Sequence, residues 1–204
     1  MSADLIAIPM ALLIPAGVMG PDAVELDVRA YLVPHESGLV LVDTGMDPSG
    51  CALDDAVVNA GAAWSDVSDV VITHGHPDHV GAVEHVRRAA PGARVLASPA
   101  DGVADAAPLL PGDMVGTLRA VATPGHTPGH MSLFDEDQGL LVVGDCAGTV
   151  DGQLVRAPER FTADVERAEQ SLHRLAALRA TRMVFAHGPE LDQPREALER
   201  LIRP

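Results

Sequence analysis

The sequence predicts an α/β protein of the α+β kind, in which two β-sheets lie face to face and helices cover their outer sides. Both halves of the chain contain short, apolar, β-branched runs followed by segments with helical spacing of apolar residues. Residues of the types that bind metals follow several of these runs. This pattern suits two packed sheets with helices outside, because each element then buries one apolar face.

Length and composition predict a single domain spanning residues 1–204. The chain contains 47% hydrophobic residues and no low-complexity tract, which is enough for one well-filled core and short for two. Aromatic residues make up only 2% of the chain, so the core must be built mainly from Val, Leu and Ala.

Charge and cysteine content limit the classes of partner. The formal net charge is −15, and all 14 basic residues are Arg. Because nucleic acids are bound through clustered cations, we expect no nucleic-acid partner. The two cysteines, Cys51 and Cys146, occur in unrelated contexts, which argues against a disulfide framework and favours a reducing compartment. We therefore expect a cytoplasmic protein that acts on a small-molecule substrate, of unknown oligomeric state.

The first element is the apolar stretch from Leu5 to Met19. It lacks a basic n-region and is interrupted by Pro9, Pro15 and Gly17. It is too short and too broken for a signal peptide or a membrane span. We interpret it as a first strand or an edge hairpin, and we expect no membrane partner.

The rest of the first half alternates strands and helices. Two strand-like runs joined by a short polar segment should form a hairpin, and the later strands are separated by helical segments. In chain order, the predicted strands are 28–33, 38–43, 69–73 and 94–97, and the predicted helices are 51–60 and 80–90.

The second half repeats this alternation after a segment, 98–116, that is rich in Pro, Gly and Asp. Only a short helix around 100–106 is predicted there. Thr162 is the predicted N-cap of the first long helix of this half. In chain order, the predicted strands are 118–122, 131–134, 140–143 and 183–186, and the predicted helices are 162–178 and 193–202.

Four residues of metal-binding types are concentrated in the segment 74–79. His74 and His76 are two residues apart, so in extended backbone both side chains project to the same side and could bind one cation. Pro77 suits the first position of a helix. Asp78 and His79 would then lie in the first helical turn, rotated away from the histidine pair, as a second cation would require.

Further ligand types follow later predicted strands. His126, Asp145 and His187 raise the number of candidate ligands to seven, which is more than one four-coordinate zinc ion can use. Two ions that share one carboxylate could use all seven. One ion would then have three histidines, and the other would have two histidines and an aspartate.

At these residues the chain resembles the metallo-β-lactamase-fold hydrolase superfamily. The superfamily signature His-x-His-x-Asp-His stands here at 74–79, and Asp43-Thr44-Gly45 matches another family motif. The likeness extends from about 28 to 187; one departure is Ala82, where the family often has the second glycine of a pair. The later motifs hold His126 in Thr-Pro-Gly-His-Thr-Pro-Gly-His, Asp145 in Val-Gly-Asp and His187 in Phe-Ala-His-Gly.

The resemblance implies a four-layer αββα sandwich that holds two divalent metal ions. Zinc is the expected metal, with iron or manganese as alternatives. The implied ligands are His74, His76 and His126 for the first ion, Asp78, His79 and His187 for the second, and Asp145 for both.

The implied activity is hydrolysis of a small ester, lactone or thioester. Two ions about 3.5–4 Å apart would bind a bridging water and lower its pKa, so that hydroxide is the nucleophile. Asp78 is the predicted catalytic residue, which orients the water or passes a proton to the leaving group. Quorum-signal lactonases resemble this chain but use a tyrosine downstream of the bridging aspartate, whereas the only tyrosine here is Tyr31, far upstream.

Two other activities stay open within the same resemblance. Persulfide dioxygenases share the signature but use a single iron bound by two histidines and one aspartate, an arrangement that leaves positions open for oxygen. A phosphodiesterase-type member of the same fold is the other alternative.

Several polar residues have two possible roles on sequence grounds. Asp43 either orients a ligating imidazole or stabilises its own turn. His130 contacts the ligands or the pocket, or fixes its loop by a hydrogen bond. Cys146 is a soft extra ligand or a small buried apolar residue. Arg156 and Arg160 bind an anionic group of the substrate or are solvated charges of a loop.

Overall fold

Two six-stranded sheets and a separate hairpin make up the β-structure. The computed structural model describes residues 4–18 and 20–203, so Met19, at the end of the predicted N-terminal strand or hairpin, lies outside the described residues. Within that stretch, Ile6–Ile14 form one long strand that pairs antiparallel with the next strand, and residues 16–18 form a turn.

The first sheet joins strands of the first half. Its first three strands are antiparallel, and three further strands are added in parallel. Pro9 lies on an edge strand, where its missing N–H is tolerated. In sheet order the strands are β1 (Ile6–Ile14), β2 (Val24–His35), β3 (Gly38–Val42), β4 (Val67–Ile72), β5 (Arg94–Ala97) and β6 (Ala107–Pro108).

The second sheet joins strands of the second half. Neighbouring strands are antiparallel except for one parallel pair, β10 (Leu140–Val142) and β13 (Arg182–Val184). The remaining strands are β7 (Met114–Val115), β8 (Leu118–Ala122), β9 (Met131–Asp135) and β14 (Leu191–Asp192), and the separate hairpin consists of β11 (Ala147–Val150) and β12 (Gln153–Arg156).

The described residues form five α-helices, of which four lie between strands and the last follows β14. Two of them, in the first half, are separated only by Gly81 and Ala82. Short 3₁₀ turns occur at Trp64–Asp66, Pro99–Asp101 and Glu159–Phe161. The helices are α1 (Cys51–Asn59), α2 (Pro77–Val80), α3 (Val83–Ala89), α4 (Val165–Ala176) and α5 (Arg195–Leu201).

Alternation along the strands produces the predicted four layers. In β3, Leu41 packs with α1 and α3 in one apolar cluster, whereas Val40 and Val42 pack with the second sheet in another. In β10, Val142 belongs to that cluster between the sheets, and Leu141 packs with α4 and α5. The observed αββα sandwich therefore confirms the predicted fold class.

The segment 98–116 differs from its prediction. Instead of a helix around 100–106, the chain forms one 3₁₀ turn and then β6, which pairs with β5. The Ser98 hydroxyl accepts a hydrogen bond from the Ala100 N–H, and Gly102 ends the turn in a left-handed conformation (φ 64°). A turn stopped after three residues cannot extend into an α-helix.

Two helix boundaries also differ from prediction. Asp164, not Thr162, caps α4, because its carboxylate accepts the Arg167 N–H at 3.0 Å. The predicted helix 80–90 is interrupted, because the Gly81 N–H donates to the Gly45 carbonyl at 2.8 Å and Ala82 leaves helical geometry (φ −98°, ψ 13°). Ala82 is accommodated in the core, so its departure from the family motif is structurally harmless.

Candidate metal centre

The first four candidate ligands lie just beyond the C-terminal end of β4. His74 follows the strand, and His76 is extended (φ −72°, ψ 151°) before Pro77 begins α2. Because Pro has no N–H, it fits the first helical position without losing a hydrogen bond. Asp78 and His79 are therefore in the first turn of α2, as predicted.

The other three candidates arrive from the second sheet. His126 lies in the loop between β8 and β9, Asp145 follows β10, and His187 follows β13. The donor atoms of the seven residues form two groups, and within each group all atoms lie within 4.8 Å of one another. The first group contains His74, His76 and His126, and the second contains Asp78, His79, Asp145 and His187.

The Asp145 carboxylate lies between the two groups. Its Oδ2 is 3.4 Å from His126 Nε2 in the first group and 3.4 Å from His187 Nε2 in the second. Its Oδ1 is 3.3 Å from His79 Nε2. This is the position that a ligand shared by two ions requires.

The distances between donor atoms suit bound cations. Ligands 2.0–2.2 Å from a tetrahedral ion are separated from one another by roughly 3.3 Å. In the first group, His76 Nδ1 and His126 Nε2 are 3.0 Å apart. In the second, Asp78 Oδ2 is 3.3 Å from His187 Nε2 and 3.7 Å from His79 Nε2.

Several buried atoms of the site lack a partner among the described residues. These atoms are Nε2 of His74, Nε2 of His79, Nδ1 of His126 and Oδ1 of Asp145. Buried polar atoms in folded proteins are nearly always hydrogen-bonded or coordinated. Unsatisfied nitrogen and oxygen donors in both groups therefore fit a divalent cation in each.

Asp43 fixes the ring of His79. Its Oδ2 lies 2.8 Å from His79 Nδ1, and the same carboxylate accepts the Thr73 N–H at 2.7 Å and the Thr73 hydroxyl at 2.8 Å. A carboxylate on Nδ1 leaves Nε2 as the donor atom for a metal. Of the two roles that the sequence left open for Asp43, the structure therefore shows contact with the imidazole.

His130 supports Asp145 through a buried hydrogen-bond chain. The Asp145 N–H donates to His130 Nε2 at 2.9 Å, so Nδ1 carries the hydrogen and donates to the Thr123 hydroxyl at 2.8 Å. Thr123 then donates to the Ser132 hydroxyl at 2.9 Å, which donates to the Val143 carbonyl at 2.8 Å. His130 thus fixes the loop that carries Asp145, which is the loop-fixing role considered from the sequence.

Asp101 is a positioning residue that the sequence did not indicate. Its Oδ2 accepts the Gly75 N–H at 3.1 Å and the Thr127 hydroxyl at 2.7 Å, and its Oδ1 accepts the Gly129 N–H at 2.7 Å. One carboxylate thereby joins the loop of His74 and the loop of His126. The partners lie 26 to 28 residues away in sequence, so no local pattern could reveal them.

Electrostatics differ between the two groups. Burial lowers the pKa of His126 to about 4 and that of His74 well below its usual value. In the second group, burial disfavours the charged imidazole, but hydrogen bonds to Asp145 and Asp78 raise the pKa of His187 to about 10. Asp43 and Asp145 likewise outweigh burial and raise the pKa of His79.

A cavity of about 570 Å³ opens onto both groups. Asp78, His76, His126, Asp145 and His187 form part of its wall. Most of the remaining wall is apolar and comes from the end of β1, the β11–β12 hairpin and the 3₁₀ turn Glu159–Phe161.

Other residues considered from the sequence do not contribute donor atoms to either group. Burial and the nearby Asp145 charge raise the pKa of Cys146 to about 12, and its thiol packs in the cluster beneath α4. The Tyr31 hydroxyl donates to the Phe185 carbonyl at 2.6 Å. Arg156 forms an ion pair with Glu169.

The remaining polar side chains have other local partners. Arg160 donates to the Val18 carbonyl at 2.9 Å. His35 contacts Ser68, His85 contacts Asp54, and His173 is exposed on α4. Among the described residues, no helix combines the length and the apolar character that crossing a bilayer requires.

Comparison with known proteins identifies the family. The model of the metallo-beta-lactamase superfamily matches residues 23–107 and 109–187, which include all seven candidate ligands. The chain belongs to the metallo-beta-lactamase superfamily. As a member of that superfamily it is a metal-binding hydrolase.

The superfamily relatives differ in how much of their length this enzyme covers. It is 31% identical to the probable metallo-hydrolase YflN of Bacillus subtilis, over 84% of each chain. It is 38% identical to a hydroxyacylglutathione hydrolase of Ectopseudomonas mendocina over 74% of this chain, but it spans only 59% of that enzyme.

Solved structures of the superfamily share the fold. This enzyme superposes on TTHA1623 in a di-iron-bound form with a TM-score of 0.71 and 26% identity, covering 91% of this chain and 96% of the other. It superposes on a metallo-beta-lactamase from Pontibacter korlensis with a TM-score of 0.71 and 20% identity, over 98% and 95% of the two chains.

Proposed function

We propose that this enzyme is a dinuclear metallohydrolase that cleaves a small ester, lactone or thioester. The observation that carries the proposal is the Asp145 carboxylate, whose Oδ2 is equally distant, at 3.4 Å, from His126 Nε2 and His187 Nε2. Two ions that share a ligand need one carboxylate between two sets of donor atoms. A mononuclear site has no need of that arrangement. The relationship to hydroxyacylglutathione hydrolases supports a hydrolytic reaction.

The proposed ligands are those of the two donor groups. His74, His76 and His126 would hold one ion, Asp78, His79 and His187 the other, and Asp145 both. Five imidazoles and two carboxylates suit zinc, and the di-iron form of a relative makes iron the alternative. When bound, two such cations lower the pKa of a water molecule towards neutrality and polarise a substrate carbonyl.

Asp78 is the proposed proton-handling residue. It lines the cavity, with a side chain that is 16% exposed, and its Oδ2 contacts His187. Burial raises the pKa of Asp78, but the hydrogen bond from His187 and the charge of His79 outweigh that effect and lower it. The ionised carboxylate can orient a water molecule in the cavity, accept its proton and deliver that proton to the leaving group.

Elemental analysis of the purified enzyme, combined with a substrate panel on the same sample, tests the proposal. We expect two zinc ions per chain and turnover of a lactone, ester or thioester. One iron per chain with oxygen consumption on a persulfide would overturn it in favour of the dioxygenase activity, and turnover of phosphodiesters alone would favour a phosphodiesterase.

His76→Ala provides the matched variant. It removes one donor from the first group, so metal content and activity should fall together, the latter by at least tenfold. The control is His173→Ala, because His173 is exposed on α4 and contacts neither donor group. Wild-type activity in His76→Ala would show that this centre is not the active site. The cytoplasmic location and the single domain over 1–204 stay predictions from the sequence.

A further inference from the structure

The mouth of the cavity has an unusual apolar surface. Four large apolar side chains there are exposed to solvent, and we call them the mouth patch: Leu13, Val18, Met46 and Val150. Eight such exposed side chains occur among the described residues, so half of them surround this one opening. Single exposed apolar residues are ordinary, but a cluster around a cavity indicates a surface that an apolar ligand covers.

The charged residues of the cavity do not offset this apolar character. Among the described lining residues, Arg156 is the only arginine, and its guanidinium is already engaged. Its Nε and Nη2 donate to the Glu169 carboxylate at 2.8 and 2.9 Å, and Nη2 also donates to the Leu201 carbonyl. Asp27, the lining carboxylate outside the donor groups, forms an ion pair with Arg29 and adds no positive charge to the wall.

These observations narrow the substrate class. We propose that the scissile ester, lactone or thioester carries an uncharged apolar chain, which packs against the mouth patch and the β11–β12 hairpin while the carbonyl reaches the donor groups. This inference rests on the proposed hydrolytic function. A glutathione thioester fits poorly, because no unpaired arginine stands among the described lining residues to bind its two carboxylates. A volume of about 570 Å³ lies in the range that holds drug-sized ligands.

A series of substrates that differ only in the length of the apolar chain tests this proposal directly. Because burying one methylene changes an equilibrium by about fourfold, kcat/KM should rise by up to that factor for each added carbon until the cavity is filled. At equal acyl chain, a neutral thioester should exceed the glutathione thioester by at least tenfold. Turnover that is independent of chain length, or that favours glutathione, would overturn the inference and leave the hydrolytic function standing.

A binding measurement separates this inference from the proposed function. Straight-chain alcohols from butanol to decanol are uncharged and cannot be hydrolysed, so their Kd for the purified enzyme can be measured by calorimetry. We expect Kd to fall with each added carbon. A Kd that falls with alcohol length, without turnover of any substrate, would support the apolar site and overturn the hydrolase proposal. Binding that is equally weak for all alcohols would overturn the apolar site.

Paired substitutions provide the control. Val150, 59% exposed at the cavity, and Val58, 71% exposed on α1 and outside the cavity, are chemically matched. Val150→Asp should reduce the rise in kcat/KM and in alcohol affinity that each added methylene gives. Val58→Asp should preserve both increases. Leu13→Asp and Leu110→Asp form a second such pair. Since all four positions are exposed, thermal unfolding should show that the four variants are folded. An equal increase per methylene in Val150→Asp and in the wild type would contradict the inference.

Discussion

At the scale of single residues, His130 lies outside both donor groups yet fixes Asp145, the proposed shared ligand. It is fully buried, and burial lowers its pKa to about 3, so it stays neutral with Nδ1 protonated. Its acceptor nitrogen fixes the Asp145 N–H, and its donor continues the chain through Thr123. The hydrogen bond to His130 therefore fixes the backbone of Asp145, the proposed shared ligand.

His130→Leu should weaken both metal binding and folding. Leucine leaves the Asp145 N–H and the Thr123 hydroxyl without their partner, which should cost about 1–3 kcal/mol of unfolding free energy. We expect metal affinity to fall about tenfold, as for other groups that orient ligands. Chemical denaturation and metal titration against a chelating dye measure the two effects.

His130→Gln and His85→Leu separate positioning from general destabilisation. A glutamine oxygen can replace Nε2 as the acceptor and should restore part of the metal affinity. His85 bonds Asp54 at 2.9 Å, away from the donor groups, so His85→Leu should affect stability alone. Wild-type metal affinity in His130→Leu would show that the chain through Thr123 does not position Asp145.

At the scale of elements, the centre depends on two loops that come from different sheets. The loop of His74 leaves the first sheet, the loop of His126 connects strands of the second, and Asp101 hydrogen-bonds to both. Asp101, at the end of the 3₁₀ turn Pro99–Asp101, thus joins the two loops that carry His76 and His126.

Asp101→Asn should reduce the affinity of the first donor group for metal. An amide nitrogen cannot accept a hydrogen bond, so at least one of the N–H groups of Gly75 and Gly129 loses its acceptor. We expect a five- to tenfold weaker first site, with the second less affected, in a two-site metal titration. Asp113→Asn is the control, since Asp113 accepts the Leu110 N–H within its own exposed turn. Equal affinities in the two variants would refute a joining role for Asp101.

The sequence predicted those elements whose conformation is determined by neighbouring residues along the chain. Short apolar, β-branched runs placed β3 and β4 to within two residues of their observed ends, and Pro77 marked the start of α2. The β11–β12 hairpin was missed because Ala147 and Gly148 lack the β-branched character that signals a strand.

The sequence predicted the candidate ligands but not what holds them. Their residue types and their places after strands were visible in the chain. The contacts of Asp101 and the orientation of His79 by Asp43 depend on how distant segments meet, so they required the structure.

At the scale of the whole molecule, the centre lies where the two sheets meet. The first half supplies four of the seven candidate ligands and the second half supplies three. Bound metal would therefore link the halves and stabilise the folded chain. An ion present at 100 times its Kd adds about 2.7 kcal/mol of unfolding free energy for a single site.

This stabilisation should grow with pH, and the sign follows from His187. In the metal-free chain its pKa is raised from 6.5 to about 10, so the stability that it contributes is fully present below pH 6.5 and is lost as pH rises towards 10. Metal binding requires the unprotonated imidazole, so metal competes with protons over the same range. The metal-free protein should weaken as pH rises while metal affinity at the second group increases.

Thermal unfolding with and without a chelator, at pH 6.5 and pH 9, measures the effect. The drop in Tm on metal removal should be larger at pH 9, with a change of up to about 1.4 kcal/mol per pH unit for each proton displaced. Calorimetry in two buffers of different ionisation enthalpy should detect proton release for the second ion. The first ion should release fewer protons, because burial already keeps His74 and His126 neutral. A Tm difference that is the same at both pH values would show that metal does not displace the proton of His187.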